Sequence, residues 1–301
     1  MSEPVNNLPV IHVRGLEKSY GRFRSKAVLK GVDLTIPAGT VMGLVGTNGE
    51  GKSTLIKCLL GLLRSSGGEM RVFGEDPWDL SPATKARIGY VPQEPALLPW
   101  LTVRQQLAYA AAFYPSWDND LAADLICRWK LPWDERVGPL SLGQKQKVAI
   151  VLALAHRPEL LILDEPVASL DPVARRRFLE SLMHMTEGGE RTVLFSTHIT
   201  SDLERVASHV AILKDGRIAV CEELDQLKDR VKRLRISAGE DLPRSFAIGG
   251  ALRTEIQGRS ALVALASVDD GLVQELRTRW NADVSVEDLN LEEIFMELHL
   301  V

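Results

Sequence analysis

Cysteine is scarce in this sequence, and its few occurrences lie far apart. Three of the 301 residues are cysteines, at Cys58, Cys127 and Cys221, and no Cys-x-x-Cys pair occurs. An odd number of isolated thiols excludes a disulfide framework, and it also excludes a zinc site built on paired cysteines. We therefore expect three buried thiols in the reducing environment of the cytosol.

Long apolar runs and an excess of basic charge are also missing. The longest apolar run, residues 148–155, is far shorter than the roughly 20 residues that a membrane-spanning helix needs. Residues 1–9 lack the charged start and apolar core of a secretory signal. The 36 basic against 40 acidic residues give a net charge of −4, so the chain has no general attraction for nucleic acid. We expect a cytoplasmic protein that reaches a membrane only through a partner.

Predicted strands and helices follow one another along the chain in the order typical of an α/β protein. Short alternating segments before residue 40 predict a small antiparallel sheet. An apolar strand, a glycine loop and a helix then begin an α/β core, which a helical segment interrupts over about residues 94–157. A smaller set of strands and helices follows. We therefore predict a large α/β domain over residues 1–227 and a small α+β accessory domain over residues 228–301.

A glycine-rich loop follows the apolar strand Val41 to Val45. Residues 46–53 match the phosphate-loop pattern G-x-x-x-x-G-K-[ST], between a strand and a helix as that pattern requires. Backbone N–H groups of such a loop surround phosphate oxygens, the lysine reaches the outer phosphates and the hydroxyl can bind Mg²⁺. A glycine-rich turn that matched the pattern by chance would not need a strand before it and a helix after it. The predicted nucleotide-binding residues are Gly46, Asn48, Gly49, Gly51, Lys52, Ser53 and Thr54.

Two carboxylates follow the apolar strand Leu160 to Leu163. The carboxyl end of a buried parallel strand is where α/β sheets bind ligands. Asp164 is placed to hold Mg²⁺, directly or through water, and Glu165 is placed to polarise an attacking water. Two acids after a strand are more often part of a solvated loop. Their functional interpretation therefore depends on the phosphate loop in the same chain.

A third motif makes the chain similar to a known family. Leu140 to Gln144 resembles the LSGGQ signature of ATP-binding cassette (ABC) transporter subunits, and a predicted helix follows it as in that family. Further motifs occur in the family's order over about residues 10–225. The matching positions are Tyr20 for the adenine-stacking aromatic, Gln93 for the Q-loop glutamine, Ser141, Gly143 and Gln144 for the signature, Asp171 for the D-loop, and His198 for the switch histidine.

This resemblance implies a fold, an activity and a set of roles. The fold would be a P-loop NTPase (RecA-like) core with an N-terminal antiparallel β subdomain and a helical subdomain at about residues 94–157. The activity would be ATP hydrolysis, with Glu165, His198 and Gln93 as the catalytic group. Mg²⁺ would be held by Ser53, Gln93 and Asp164. ATP and Mg²⁺ are thus the expected cofactors.

Two positions depart from the family's pattern. Leu142 stands where the signature has its first glycine, on the face that meets the γ-phosphate held by the opposite subunit. Ser141, Gly143 and the helix N-terminus remain there to bind that phosphate. Glu50 replaces a small neutral residue in the phosphate loop, and its charge would repel phosphate. We therefore expect Glu50 to point to solvent or to the partner subunit.

The resemblance also implies partners. Two such subunits would close head to tail over two ATP molecules, each held between one subunit's phosphate loop and the other's signature, and a homodimer is expected. A separate membrane permease would receive the mechanical work. The loop of residues 95–101, just after Gln93, contains Leu97, Leu98 and Trp100, which either dock onto that permease or cap the core.

The C-terminal segment carries no catalytic motif, but its end indicates a direction of transport. Residues 289–298 are similar to the L-E-(D/E)-I-F endings of bacterial ATPase subunits that serve ABC-2-type exporters. We therefore expect an export ATPase, with the C-terminal domain acting in dimer contact or regulation. An importer ATPase is the nearest alternative. A soluble ABC ATPase acting on ribosomes or DNA, and a small-molecule kinase, explain the motifs less completely.

Overall fold

The computed structural model describes residues 9–21, 26–189, 191–243 and 245–299. Contacts within the chain divide it into two compact units. The first runs through His198 and also includes Arg205–Cys221, and the second consists of Ile199–Glu204 and the chain from Glu222 onward. The predicted domain boundary after residue 227 lies several residues beyond this division. The two units are described separately below.

The first unit begins with a small antiparallel sheet that leads into the core. Its opening elements are strands β1 (Ile11–Tyr20), β2 (Lys26–Ile36) and β3 (Val41–Val45), helix α1 (Lys52–Leu59) and strand β4 (Gly67–Val72). Strand β1 pairs antiparallel with both β2 and β4. Ile11 and Val13 are buried while His12 and Arg14 are exposed, because alternate side chains of a strand point to opposite faces. Leu16 is buried as well, after a register shift between Val13 and Leu16. The predicted antiparallel sheet is confirmed.

The middle of the first unit is mainly helical. Its elements are a short 3₁₀ helix (Pro77–Asp79), α2 (Pro82–Ala86), β5 (Ile88–Val91), α3 (Val103–Ala111), α4 (Asn119–Arg128), α5 (Leu142–Leu154) and β6 (Leu160–Asp164). Val148 and Val151 of helix α5 are buried, and so is Ala155 directly after it. All three belong to the apolar stripe that predicts this helix from the sequence. This segment corresponds to the expected helical subdomain between two parts of the core sheet.

The rest of the first unit completes a six-stranded sheet. It contains α6 (Pro172–Thr186), β7 (Thr192–Thr197), the end of α7 (Thr200–Val206), β8 (His209–Lys214) and most of β9 (Arg217–Glu223). The strand order is β5-β6-β7-β3-β8-β9, and the pairings from β5 to β8 are parallel. Val45 pairs with Thr197, and Asp164 pairs with Ser196. The loops that follow β3, β6 and β7 therefore leave the sheet at the same edge.

The second unit is a four-stranded antiparallel sheet with helices. Besides the start of α7 it contains α8 (Leu224–Arg230), β10 (Lys232–Ser237), β11 (Ala251–Gln257), β12 (Ser260–Leu265), α9 (Asp270–Trp280), β13 (Asp283–Asp288) and α10 (Leu291–His299). The strand order is β11-β12-β10-β13. Leu234, Ile236, Val263 and Val284 share a buried core with Leu276 of α9. The other sheet face carries charged side chains.

Helix α7 is held within the second unit by one carboxylate. Glu204 accepts a hydrogen bond from the backbone N–H of Leu291 at 2.9 Å, at the start of α10. The same carboxylate lies 3.1 Å from the Lys228 ammonium on α8. A carboxylate at a helix N-terminus is stabilised by the helix dipole as well as by the hydrogen bond. Glu204 thus joins three helices of this unit.

The expectation of three buried thiols is wrong for two of them. Cys58 is buried, and burial raises the pKa of its thiol. Cys127 is exposed because it lies one position beyond the buried pair Leu125 and Ile126, on the solvent side of α4. Cys221 is exposed because it lies on the outer face of the alternating strand β9.

Candidate active site

The phosphate loop lies between the end of β3 and the start of α1. Gly51 is the residue before α1, with a φ of 110° in the left-handed region that favours glycine. A Cβ atom at this position would lie 2.8 Å from Cδ2 of Leu29 and 3.0 Å from Cγ1 of Val28. Both the backbone conformation and the close approach of β2 therefore require glycine here. The loop delivers the N-terminus of α1 to the edge where the parallel strands end.

This edge holds a cavity of about 370 Å³. The cavity is lined by Val28, Asn48, Gly49, Gly51, Lys52, Ser53, Thr54, Gln93 and Glu165. The structure thus brings two residues from distant parts of the chain, Gln93 and Glu165, beside the phosphate loop. Gly46 lies behind the cavity, where its carbonyl accepts a hydrogen bond from the Lys52 ammonium at 2.7 Å. The ammonium also donates to the carbonyl of Thr47 at 3.3 Å.

Glu165 is held between two cationic or hydrogen-bonding groups. Its Oε1 lies 3.5 Å from the Lys52 ammonium, and its Oε2 accepts a hydrogen bond from His198 Nδ1 at 2.9 Å. Oε1 is buried and has no hydrogen-bond donor, so it keeps acceptor capacity toward the cavity. The backbone of Glu165 has a φ of 49°, a left-handed conformation that is unusual for a residue other than glycine. Such local strain is typical of functional positions.

Asp164 is buried beside this cavity without lining it, in contact with the lining residue Ser53. Its Oδ1 accepts hydrogen bonds from Ser53 Oγ at 3.1 Å and from Ser196 Oγ at 2.8 Å. A carboxylate and a hydroxyl oxygen in contact, with the amide of Gln93 lining the same cavity, form the oxygen donor set that Mg²⁺ prefers. The residues present therefore fit the metal that the phosphate loop leads us to expect.

Tyr20 lies next to the phosphate loop without lining the cavity. Its hydroxyl is 3.4 Å from Thr54 Oγ1, and 43% of the residue's surface is exposed. The Lys18 ammonium lies 5.2 Å from the centre of the ring. An exposed aromatic face at the rim of a phosphate site can stack on a nucleobase.

The signature residues form a different surface of the same unit. Ser141 caps α5, because its hydroxyl accepts a hydrogen bond from the Gln144 N–H at 3.2 Å and the Gln144 side-chain oxygen accepts one from the Ser141 N–H at 2.9 Å. A Cβ atom on Gly143 would lie 2.9 Å from the Ser169 carbonyl, so this glycine packs against the D-loop. Asp171 caps α6 through the N–H groups of residues 173 and 174. None of these signature or D-loop residues lines the phosphate cavity.

The D-loop carboxylate is stabilised in its charged form. Asp171 Oδ2 lies 3.9 Å from the Lys147 ammonium on α5. The backbone hydrogen bond from Ala174 and then this ammonium lower the pKa of Asp171 below its usual value. Asp171 therefore links the start of α6 to α5.

The two departures from the family's pattern have different outcomes. Glu50 is half-buried. Its Oε2 accepts a hydrogen bond from the Thr47 N–H at 3.0 Å and its Oε1 accepts one from the Thr47 hydroxyl at 2.9 Å. These two donors hold the carboxylate on its own loop, and its approach to a partner subunit stays a prediction. Leu142 is 56% exposed at the start of α5, beside the signature serine.

Sequence reasoning missed two residues that position the site. Ser196 is fully buried, donates to Asp164 and accepts the backbone N–H of Glu165 at 3.2 Å. Gln146 is fully buried on α5, and its amide donates to the Pro92 carbonyl at 3.2 Å, directly before Gln93. Both residues could have been found from the sequence as polar residues inside otherwise apolar, buried segments, since such residues need a specific partner.

Comparison with known proteins agrees with this geometry. The ABC transporter family matches residues 29–168. The aliphatic sulfonates import ATP-binding protein SsuB of Corynebacterium glutamicum is 37% identical over 235 residues, which cover 76% of this chain and 90% of SsuB. A fluoroquinolones export ATP-binding protein of Mycobacterium tuberculosis is 31% identical over 291 residues, covering 96% of this chain and 93% of that protein.

This chain belongs to the ATP-binding subunits of ABC transporters. It is therefore an ABC ATPase with the cassette fold. Among solved structures, a dimeric ATP-binding cassette in a post-hydrolysis state bound to ADP and Pi is similar, with a TM-score of 0.65 and 25% identity. That match covers 71% of this chain and 98% of the other. In the described part of this ABC subunit, no helix is long and apolar enough to cross a membrane.

Proposed function

We propose that this ABC subunit works as one of a head-to-tail pair that hydrolyses ATP to drive export through a separate permease. The observation that carries this proposal is the combination of two distinct surfaces in one unit. One surface is the phosphate cavity with Lys52 and Glu165, and the other is the capped signature helix next to the D-loop. Each surface alone holds half of what an ATP molecule between two subunits would contact.

The proposed chemistry follows from the contacts around Glu165. Lys52 and the N–H groups at the start of α1 bind the phosphates of ATP, which draws the ammonium away from its carbonyl and carboxylate partners. Glu165 then accepts a hydrogen bond from the attacking water through Oε1, the oxygen that has no donor within the protein. His198 holds the other carboxylate oxygen, which fixes the orientation of Glu165. Its imidazole follows β7, at the edge of the sheet where the γ-phosphate would be bound.

Mg²⁺ has a defined place in this proposal. Ser53, Asp164 and Gln93 would hold it, and when bound it would neutralise charge on the phosphate oxygens. The protein's own contribution is to keep the Ser53 hydroxyl and the Asp164 carboxylate in contact at 3.1 Å. Tyr20 would stack on the adenine at the rim of the site.

The second copy supplies the other half of each site. The similar cassette described above is dimeric and carries ADP and Pi in its structure. In this chain Ser141, Gly143 and Gln144 surround the N-terminus of α5, which can face the γ-phosphate on the partner. Asp171 at the neighbouring helix N-terminus would contact the partner as well. We expect two identical subunits.

Two observations support export over import. The fluoroquinolone exporter subunit aligns over 291 residues, a length that includes the C-terminal unit. SsuB aligns over 235 residues although 90% of its own length is covered, so the importer has no counterpart to much of that unit. SsuB is nevertheless the more identical of the two, and this keeps an importer ATPase as the second candidate.

The loop after Gln93 is the proposed contact with the permease. Trp100 is 64% exposed, whereas Leu97 and Leu98 are half-buried. The Leu98 N–H donates to the side chain of Gln106 on α3 at 3.0 Å, which fixes the loop on the helical segment. A large exposed aromatic on a held loop fits a protein–protein contact. Docking there would place the subunit on the inner face of the cell membrane.

The deciding experiment uses the variant Glu165→Gln. This change keeps the shape of the side chain and removes its ability to act as a base, so ATP should still bind while hydrolysis falls by about 100-fold or more. The control is Glu159→Gln, directly before β6, which removes an exposed partner of Arg87 and should leave hydrolysis unchanged. ATP binding and phosphate release are measured on both variants.

The same variant identifies the partner. Tagged Glu165→Gln protein is extracted from cells in mild detergent with ATP and Mg²⁺, and the proteins that co-purify are identified. A multi-span membrane protein supports the transport proposal, and the class of that permease separates export from import. Ribosomal or DNA-associated partners without a permease would refute it. Near-normal hydrolysis by Glu165→Gln would refute the role of Glu165.

A further inference from the structure

The second unit contains a charged recess that the ATPase chemistry does not use. It has a volume of about 350 Å³. Its walls and floor are Arg233, Arg253, Glu255, Leu262, Ala264 and Glu297. These residues lie on the sheet face opposite the apolar core, with Glu297 contributed by α10. The recess therefore belongs entirely to the C-terminal unit.

The register of the sheet explains why a recess forms there. Ala264 of β12 pairs with Arg233 of β10 on one side and with Arg253 of β11 on the other. A methyl group between two long side chains leaves a gap between them. In the next row of the same face, Leu262 pairs with Glu255 and forms the rest of the floor. The space is built by ordered strands and not by a loop.

Glu297 is a buried carboxylate, and one of its oxygens accepts no hydrogen bond from the described residues. The residue is 4% exposed. Its Oε1 accepts a hydrogen bond from Arg233 Nη2 at 2.9 Å, whereas its Oε2 has no hydrogen-bond donor. Oε2 forms only a long ion pair with Nη1 of Arg253, at 3.9 Å, and that guanidinium is also paired with Glu255. A buried acceptor without a donor is costly, so a ligand that supplies an N–H would stabilise this site.

The charges around the recess leave an excess of negative charge. Arg233 also pairs with Glu293 at 3.2 Å. Among the described residues that line the recess or pair with its walls, the carboxylates of Glu255, Glu293 and Glu297 form ion pairs with two guanidinium groups, those of Arg233 and Arg253. One carboxylate charge is therefore unmatched. A single positive charge would balance it and would also satisfy the free oxygen of Glu297.

We propose that this recess binds a small molecule that carries an ammonium group, which donates to Oε2 of Glu297 and is flanked by Glu255. Oxygen-only metal coordination is disfavoured, because within the described residues no cluster of three or more metal-binding side chains occurs. An ammonium group can come from a diamine or from an amino acid. In the second case the carboxylate of the ligand would pair with Arg253, whose guanidinium is the more exposed of the two.

Titration calorimetry on the full chain tests the proposal with three probes of matched length. The probes are 1,4-diaminobutane, L-ornithine and the neutral 1,4-butanediol. The intact protein should bind at least one of the two amines and should not bind the diol. Tighter binding of the diamine identifies an amine ligand, and tighter binding of L-ornithine identifies an amino acid ligand. Failure of both amines to bind overturns the proposal.

Two variants locate the binding. Glu297→Gln should weaken the amine by about tenfold or more, since one charge-assisted contact is lost. The control Glu287→Gln removes the partner of Arg235, on the same sheet face but outside the recess, and should leave binding unchanged. Equal binding by Glu297→Gln and the intact protein would overturn the proposal, as would equal losses in both variants.

A third variant covers the case in which Glu297→Gln does not fold. Arg253→Gln lies on the edge strand β11, and its side chain is 41% exposed, so it should fold. Removing this positive charge should tighten 1,4-diaminobutane severalfold and weaken L-ornithine, which would lose the partner of its carboxylate. Unchanged binding of both probes would refute the recess as their site.

Discussion

Ser196 provides the sharpest test of how the catalytic carboxylates are held. The change Ser196→Ala removes one hydroxyl near the carboxyl end of β7, where the residue is fully buried. Two contacts are lost: the hydrogen bond to Asp164 at 2.8 Å and the one accepted from the Glu165 N–H at 3.2 Å. Other partners remain, since Ser53 still donates to Asp164 and the Ser196 carbonyl still accepts from Glu165 at 3.1 Å.

The size of the effect follows from these partners. A hydrogen bond to a charged acceptor contributes about 1.5–3 kcal/mol, and the Asp164 carboxylate and the Glu165 N–H each keep one other contact. We therefore expect Ser196→Ala to lower the free energy of unfolding by about 2 kcal/mol. Because Glu165 is held in a left-handed conformation partly through this hydroxyl, we also expect kcat to fall by about tenfold, which corresponds to 1.4 kcal/mol. The KM for ATP should change little.

The matched control is Thr192→Val at the other end of the same strand. Thr192 is also buried, and its hydroxyl accepts a neutral hydrogen bond from the Gly39 N–H at 3.0 Å. This nearly isosteric change should lower the free energy of unfolding by about 1 kcal/mol and leave kcat unchanged. Denaturant unfolding and steady-state phosphate release measure both quantities. If Ser196→Ala keeps full kcat, or if both variants lose it equally, Ser196 does not position Glu165.

Three further changes test other parts of the structure. Burial lowers the pKa of His156, so the unfolded state takes up a proton at higher pH than the folded state, and the free energy of unfolding should fall as the pH drops below about 6.5. In His156→Gln this fall should be smaller between about pH 6.5 and 5. An unchanged fall would contradict the contribution of His156 to the pH dependence. Glu50→Gln keeps an acceptor for Thr47 but removes a charge near the phosphates, so ATP should bind about two- to fivefold more tightly at low salt, and equal affinity at all salt concentrations would disprove this repulsion. Trp100→Ala should reduce stimulation of ATPase activity by the permease while the basal ATPase activity and the unfolding midpoint stay unchanged, and loss of folding would show instead that Trp100 caps the core.

The parts of the site that are contiguous in sequence were predictable. Residues 46–53 combine a glycine pattern with a flanking strand and helix, and the structure places them around one cavity with Glu165. The carboxylates Asp164 and Glu165 end an apolar strand, which local hydrophobicity alone marks. Each of these signals depends on neighbours in the chain. The loop and the strand could therefore be predicted without any knowledge of the tertiary structure.

The parts that depend on pairing between distant strands were not predictable. Ser196 meets Asp164 because β6 and β7 pair in one register, and nothing near Ser196 in the sequence sets that register. The orientation of the Glu50 carboxylate depends on its hydrogen bond with the Thr47 hydroxyl, which the sequence composition does not predict. Strand β13 was also missed, although Val284 and Val286 alternate with polar residues over Asp283–Asp288. That segment pairs with β10, far upstream in the chain.

Helix α7 has a consequence for experiments that shorten the chain. The chain passes between the two units three times, after His198, after Glu204 and after Cys221. The C-terminal unit is therefore connected by more than one segment of the chain. A truncation at residue 222 would remove Lys228 and Leu291, the two residues that hold Glu204. The first turns after His198 would then lose their anchor. A slow truncated enzyme would therefore report on damage beside the switch histidine as well as on the missing domain.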